Sequence, residues 1–188
     1  MAQGNTETEI KLAVEGAAQA RKLLRAAGFQ VARTRVLEVN TVYDTPGFVL
    51  RRTSRLLRVR QAGSVATLTF KGPPEANVRH KTREELEVQL PGSGRFSTIL
   101  ERLGFRPAFR YEKYRTEFRP ARGKGIATVD ETPIGVYIEL EGAPAWIDRT
   151  AHQLGFAETD YITASYGRLF LEWRRRQKQK PAHMLFAR

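Results

Sequence analysis

Residues 6–14 read Thr6-Glu7-Thr8-Glu9-Ile10-Lys11-Leu12-Ala13-Val14. Glu7, Glu9 and Lys11 recur at every second position, with Ile10 and Leu12 between them. Side chains of a strand alternate between its two faces, so this stretch predicts a strand with one charged face and one apolar face. The same period recurs down the chain. Arg58 and Arg60 alternate with Leu57 and Val59, and Thr67, Thr69 and Lys71 with Leu68 and Phe70. Arg83, Glu85 and Glu87 alternate with Leu86 and Val88, Lys113 and Arg115 flank Tyr114, and Glu139 and Glu141 alternate with Ile138 and Leu140.

A solvated outer face would explain one such strand. Six of them suggest more, because the charges cluster as acidic or basic doublets. Like charges two apart lie about 7 Å from each other on one face, and sheet stability alone does not favour acidic pairs. A cation between them would remove the repulsion. Curling the sheet so that the charged faces point inward yields a polar-lined barrel whose apolar outside is covered by helices.

Strands are predicted over 6–14, 36–43, 55–61, 66–71, 81–90, 111–119, 125–130 and 136–141, separated by turns such as Gly72-Pro73-Pro74 and Gly123-Lys124-Gly125. Helices are predicted over 15–27, 96–103 and 146–154, each closed by a Gly-Phe pair, and over 164–175, where Tyr166, Leu169, Phe170 and Trp173 form one stripe. Strands joined by hairpins with inserted helices define an α+β antiparallel fold, not a doubly wound parallel one.

Composition narrows the function. The chain has 188 residues and no cysteine, which excludes a disulfide framework, a thiolate metal site and a cysteine nucleophile. Neither common glycine-rich phosphate loop occurs. No apolar run approaches a membrane span, and the N-terminus lacks a basic region followed by an apolar one, so a cytoplasmic protein with no membrane partner is expected. The net charge is +12, and residues 174–188 supply six of those charges without an acid. Such a basic tail is expected to be solvated and partly disordered, and any nucleic-acid contact is expected only through it. His80, His152 and His183 are scattered and expected at the surface.

The inward charges suggest a ligand. Acidic doublets offer hard oxygen donors suited to Mg²⁺ or Mn²⁺. Arg58, Arg60, Lys71, Lys113 and Arg115 could grip several phosphate oxygens. Together they describe a site for a polyphosphate carried with its divalent ion, and phosphoryl chemistry needs no histidine or serine nucleophile.

The order of these motifs resembles the CYTH superfamily of triphosphate tunnel metalloenzymes. Glu7-Thr-Glu9-Ile-Lys11 matches its E-x-E-x-K signature. The motifs that follow are Tyr43-Asp44-Thr45-Pro46, Leu57-Arg58-Val-Arg60, Thr69-Phe70-Lys71-Gly72 and Arg83-Glu84-Glu85-Leu-Glu87. Glu112-Lys113-Tyr-Arg115, Val129-Asp130, Ile138-Glu139-Leu-Glu141 and Ser165-Tyr166 complete the series. The resemblance runs to about residue 173, making 1–173 the expected domain and 174–188 the tail. It implies an eight-stranded antiparallel β-barrel, a tunnel that binds a triphosphate with Mg²⁺ or Mn²⁺.

By position, the resemblance makes Glu7, Glu9, Glu139 and Glu141 metal ligands, with Glu85 and Glu87 assisting. Lys11, Arg58, Arg60, Lys71, Arg83, Lys113 and Arg115 become the phosphate grip, with Lys11, Arg58 and Lys113 at the catalytic centre. Asp130 supports the basic residues, Asp44 and Thr45 belong to a turn, and Tyr166 to the core of the closing helix. The branch it most resembles, class IV adenylate cyclases, implies conversion of ATP to cyclic AMP and pyrophosphate. Hydrolysis of tripolyphosphate, thiamine triphosphate or a nucleoside triphosphate is the alternative, and a non-catalytic polyphosphate or nucleic-acid binding module is a third. Family members often pair, so a homodimer is compatible with the resemblance, although no stretch of the sequence identifies an interface.

Overall fold

The structure is a computed structural model that describes residues 5–76, 79–90 and 92–187. Its eight strands are β1 (Asn5–Val14), β2 (Phe29–Asp44), β3 (Leu56–Ala62), β4 (Val65–Lys71), β5 (Lys81–Leu90), β6 (Arg106–Pro120), β7 (Ile126–Thr132) and β8 (Gly135–Glu141). Every pairing is antiparallel, and the sheet closes in the order β1-β5-β4-β3-β2-β6-β7-β8. The predicted α+β antiparallel barrel is therefore the observed one. Closure removes the sheet edges and commits each alternating strand to one inner and one outer face.

The helices are α1 (Ala17–Ala26), α2 (Val49–Arg52), α3 (Ser93–Arg102), α4 (Pro144–Gln153) and α5 (Tyr166–Arg176), with a 3₁₀ turn at Glu158–Asp160. Helix α1 stops at Gly28, whose φ of 85° is the left-handed conformation that a glycine accepts without strain. Helices α1 and α4 cover β1, β7 and β8. Leu24, Ile147 and Ala151 pack there on Ile10, Leu12, Phe118 and Leu140. Trp146 of α4 lies over Gly125, where an added Cβ would stand 2.2 Å from the indole. Helix α3 covers another sector with Leu100 and Phe96 against Tyr43, Val59 and Leu57.

Two strands exceed their predicted lengths. β2 starts at Phe29 instead of residue 36, and β6 at Arg106 instead of residue 111. The extra part of β2, with Arg33 and Arg35, is exposed and has no apolar alternation to announce it. Its backbone is satisfied by pairing with residues 115–120 of β6, through register shifts on either side of Arg33. Helix α2, which has no predicted counterpart, is held by Asp44. One carboxylate oxygen accepts the amides of Thr45 and Leu50 at 2.8 and 2.9 Å, and the other accepts that of Arg51 at 2.9 Å. This is the turn role expected of Asp44.

A third apolar cluster fills one end of the lumen. Tyr166 and Phe170 of α5 meet Tyr111 of β6, Tyr137 of β8 and Met184. Met184 forms a parallel bridge with Tyr111. Its carbonyl accepts the Glu112 amide at 2.8 Å, and its own amide donates to the Arg110 carbonyl at 3.0 Å. Phe186 lies on the Tyr114 ring, 5.2 Å between centroids. The end of the chain is thus not the detached appendage its charge suggests. Full burial of Met184 contributes about 1.5–3 kcal/mol, and β6 lends it hydrogen bonds where β7 no longer runs alongside. No helix among the described residues is long and apolar enough to cross a membrane.

Candidate active site

The lumen is a cavity of about 260 Å³ lined almost wholly by charge. Each acidic and basic residue singled out by alternation lines it, from Glu7, Glu9 and Lys11 on β1 to Glu139 and Glu141 on β8. Asp130 stands directly behind this lining. The sheet register explains the meeting. Arg58 is paired with Thr69, Lys71 with Glu85, Lys11 with Glu139 and Arg115 with Asp130, so the inward rows of neighbouring strands fall level.

Asp130 is fully buried and organises the deep end. It accepts from Lys113 Nζ at 2.8 Å, from Arg115 at 2.7 and 2.6 Å, and from the Tyr166 hydroxyl at 2.7 Å. Burial alone would raise its pKa, but Arg115 and Lys113 outweigh that and hold it well below the usual carboxylate range. Glu139 receives Arg115 Nη2, lies 3.3 Å from Lys11 Nζ, and is likewise held low against burial by Lys11 and Arg115. Tyr166 lies in the core as expected and also presents its ring to Lys11 and Lys113, whose ammonium nitrogens lie 5.2 and 5.0 Å from its centroid. It forms the floor of the cavity.

On the β1–β5–β4 side, Glu7 pairs with Lys71 Nζ at 2.5 Å and Glu9 with Lys81 Nζ at 2.6 Å. Glu85 lies 3.1 Å from Lys71. The carboxylates of Glu85 and Glu141 are both pushed up to about 7, by burial first and then by Glu7 together with Glu87 for Glu85, and with Glu139 and Glu85 for Glu141. That crowding is the condition a divalent cation relieves, and the donor set is entirely hard oxygen. Among the described residues no three such groups stand ready-gathered at metal distances; the lysines separate them. Glu87 is engaged differently, by Thr69 Oγ1 at 2.6 Å and by Arg60 and Arg58 at 3.4 and 3.5 Å.

Three charged residues at the lumen escaped the sequence reading: Lys81 and Glu117, which line it, and Glu38 behind the lining. Lys81 continues the inward row of Arg83, Glu85 and Glu87. Burial, with Lys11 and Arg83 nearby, lowers its ammonium to about 8 although Glu9 opposes the shift. Glu38 is buried beneath the cations, and Lys113, Arg115 and Arg60 overcome its burial and hold it at about 2. All three follow the period of two, and all lie on predicted strands, so the signal was present. Glu38 Oε2, both polar atoms of Asn40, and the Nε atoms of Arg58 and Arg83 are buried without a hydrogen-bond partner among the described residues. These are unused donors and acceptors in and behind the lumen wall; a bound anion would satisfy the donors, and a water or cation the acceptors. One histidine departs from expectation. His80 is buried, with Nε2 2.7 Å from Asp148, and belongs to a cluster outside the barrel.

The lumen is open at one end. From the Tyr166 floor outward, the side chains of Lys113, Arg115 and Glu117 on β6 are 2, 19 and 24 % exposed. Those of Arg83, Glu85 and Glu87 on β5 are 9, 15 and 39 % exposed. A second cavity of about 510 Å³ adjoins this mouth and shares Arg60 and Glu87 with the first.

A closed antiparallel barrel with a charged lumen and these rows of residues matches a family model described as the CYTH domain over residues 5–166. The chain belongs to the CYTH family. Membership implies a triphosphate as substrate class and dependence on a divalent metal. A Methanocaldococcus jannaschii protein named as a candidate adenylate cyclase is 26% identical over 136 residues, 72% of this chain and 75% of that protein. Among solved CYTH-like folds, a candidate adenylate cyclase from Vibrio parahaemolyticus superposes with a TM-score of 0.77 at 21% identity, covering 90% of this chain and 99% of that one. A Hippeastrum protein, named as a candidate adenylyl cyclase and described as having a dominant triphosphatase activity, gives 0.64 at 18% identity, covering 93% and 97%.

Proposed function

We propose that the protein is a divalent-metal-dependent enzyme that hydrolyses a triphosphate, with water attacking the terminal phosphorus. The charge balance of the lumen carries this reading. Eight lysines and arginines face seven glutamates there, and buried Asp130 and Glu38 bring the carboxylates to nine. A lumen whose cations are matched almost one for one by carboxylates does not by itself favour a polyanion. Once the carboxylates hold a divalent cation, the arginines and lysines are released to act on phosphate.

Glu7, Glu9, Glu139 and Glu141 would hold the metal, with Glu85 beside Glu7. When bound, the ion would neutralise phosphate oxygens and help polarise the phosphorus under attack. Arg58, Arg60, Lys71, Arg83, Lys113 and Arg115 grip the phosphate chain, and Lys11 faces it from β1. Asp130 fixes Lys113 and Arg115 in place, so little reorganisation remains at the moment of reaction. Glu87, bound by Thr69 and the two β3 arginines, acts as their positioning partner rather than as a metal donor. The walls of a closed barrel exclude bulk water, which strengthens each of these interactions.

Conversion of ATP to cyclic AMP is the second reading, favoured by the name of the 26%-identical relative. Hydrolysis stands ahead of it because, among the described residues, the apolar lumen lining comes down to Leu56, Ile126 and the two tyrosines, little surface for a nucleobase between the strands. The test is incubation with Mg²⁺ or Mn²⁺ and either tripolyphosphate or ATP, followed by ³¹P NMR. Orthophosphate from tripolyphosphate supports the hydrolase. Pyrophosphate and cyclic AMP from ATP would replace it with the cyclase. Binding without turnover, surviving both chelator and Glu7→Ala, would leave a binding module.

A further inference from the structure

Lys81 is the lumen cation left without a part in the phosphate grip. It stands opposite Glu9 in the β1–β5 register. Its ammonium lies 2.6 Å from Glu9 Oε1, while Lys11 Nζ lies 3.5 Å from Glu9 Oε2. Both oxygens of a proposed metal donor are therefore held by ammonium groups. A divalent ion arriving at Glu9 has to displace one of them, because two cations at one carboxylate repel each other strongly in a desolvated lumen.

The two lysines are not equally held. Lys11 also has Glu139 at 3.3 Å and the face of the Tyr166 ring, and its backbone exchanges two hydrogen bonds of 2.9 Å with Ile162. Lys81 has Glu9 as its only carboxylate among the described residues, and Lys11 and Arg83 stand near enough to repel it. Its side chain is 11 % exposed, so an ammonium that loses Glu9 has little water to turn to.

The backbone around Lys81 is pinned on both sides. The Thr82 carbonyl accepts the Glu75 amide at 2.7 Å, and the Thr82 hydroxyl lies 3.0 Å from that of Thr8. The preceding His80 is tied to Asp148 of α4. What remains free to move is the flexible four-carbon stem. Two residues along the same inward row, Arg83 carries a buried Nε without a hydrogen-bond partner, donor capacity that an anion on this wall would fill.

Building on the metal-dependent triphosphatase reading, we infer that Lys81 exchanges partners: it is the counter-ion of Glu9 in the metal-free lumen and passes to a substrate phosphate when a divalent ion takes Glu9. The exchange couples the two ligands. Metal without phosphate leaves a desolvated ammonium unpaired, and phosphate without metal finds Lys81 already engaged. Bound together, they avoid both costs. Linkage then requires each to raise the affinity of the other through Lys81, so the lumen favours a metal-carrying triphosphate over either component alone.

Mn²⁺ titration followed by electron paramagnetic resonance tests the exchange on the native protein and Lys81→Met, with and without a methylene-bridged tripolyphosphate that water cannot cleave. One analogue solution serves both proteins, so chelation in solution cancels from the comparison. Without the analogue, Lys81→Met is expected to bind Mn²⁺ about fivefold or more tighter than the native protein. With it, that advantage should vanish or reverse, because only the native side chain then gains a phosphate. Equal or weaker Mn²⁺ binding by Lys81→Met without the analogue overturns the inference, and so does an advantage that persists undiminished in its presence. Circular dichroism establishes that the variant is folded; if Lys81→Met does not fold, Lys81→Gln, which keeps a donor to Glu9 without the charge, carries the same expectation. Turnover of the native protein separates the two levels of argument. Tripolyphosphate cleavage alongside an unmoved Mn²⁺ affinity in Lys81→Met defeats only the exchange. Cleavage of neither tripolyphosphate nor ATP defeats the triphosphatase reading, and the passage of Lys81 to a phosphate falls with it.

Discussion

The two ends of the barrel are made of different material. At the closed end, Tyr111, Tyr137, Tyr166, Phe170 and Met184 pack as an ordinary apolar core, and Asp130 is wholly buried among two cations and a phenol. At the open end, Arg60, Glu87 and Glu117 alternate with little apolar cover and reach water. The same period of two builds both. Charge around Asp130 at the closed end is paired and desolvated, where a missing partner is expensive. Charge at the open end is partly screened, where a missing partner matters less to folding than to ligand capture.

Asp130→Ala is the largest break in that comparison. It strands Lys113 and Arg115 without their carboxylate, and is expected to lower unfolding free energy by about 3–5 kcal/mol and remove turnover. Chemical denaturation checks it, and a loss below 1 kcal/mol would mean the closed end is not organised by this residue. Arg58→Ala and Lys11→Ala should each reduce kcat by about 100-fold or more while the circular dichroism spectrum stays native. Near-normal turnover in either purified variant would remove the tunnel as the catalytic site. Met184→Ala should cost about 2–3 kcal/mol, read as a drop in Tm; an unchanged Tm would show that the terminal segment does not help close the floor.

Acid and base should separate the two ends further. Glu38, held at about 2 against an ordinary 4.5, stabilises the fold above pH 4.5, and that contribution is lost as pH falls through about 2. Glu38→Gln should flatten the acid limb of the stability profile. Glu85 and Glu141, raised to about 7, work in the opposite sense. The folded protein holds their protons more tightly than the unfolded chain does, so their contribution to stability declines between pH 4.5 and 7. The same deprotonation should tighten Mn²⁺ binding between pH 6 and 8, measurable by electron paramagnetic resonance; a flat affinity would take both glutamates out of the metal site. Last in size, Arg168→Ala removes only an exposed pair with Glu172 on α5, and should shift stability by no more than about 0.5 kcal/mol.

Much of this was legible before any fold was known. The strands that carry the site show strict alternation, because each has one wet face and one covered face, and that pattern is local. The functional row of β5 could be read to its last member, and Lys81 belonged to it. Glu38 was harder, since Val36–Tyr43 carries few charges to mark its inner face. The first half of β2 was illegible because its hydrogen bonds come from β6, about 80 residues away in sequence, and its own side chains show no apolar period. His80 looked like an isolated surface histidine because its partner Asp148 lies on α4. Tyr166 was legible as core, but a helical stripe cannot say that its hydroxyl ends at a buried carboxylate.

The sequence alone determined which faces are charged, that the strands are antiparallel, and that the charges suit phosphate and a hard cation. These follow from a two-residue period and from side-chain chemistry, neither of which needs distant contacts. Only the tertiary structure decided that one end of the tunnel is shut, that the terminal segment joins β6 instead of hanging free, and that burial and neighbouring carboxylates raise Glu85 and Glu141. Closure and the raised carboxylates depend on which strands become neighbours and how their registers align, and burial makes each charge depend on partners that the chain brings together from far apart.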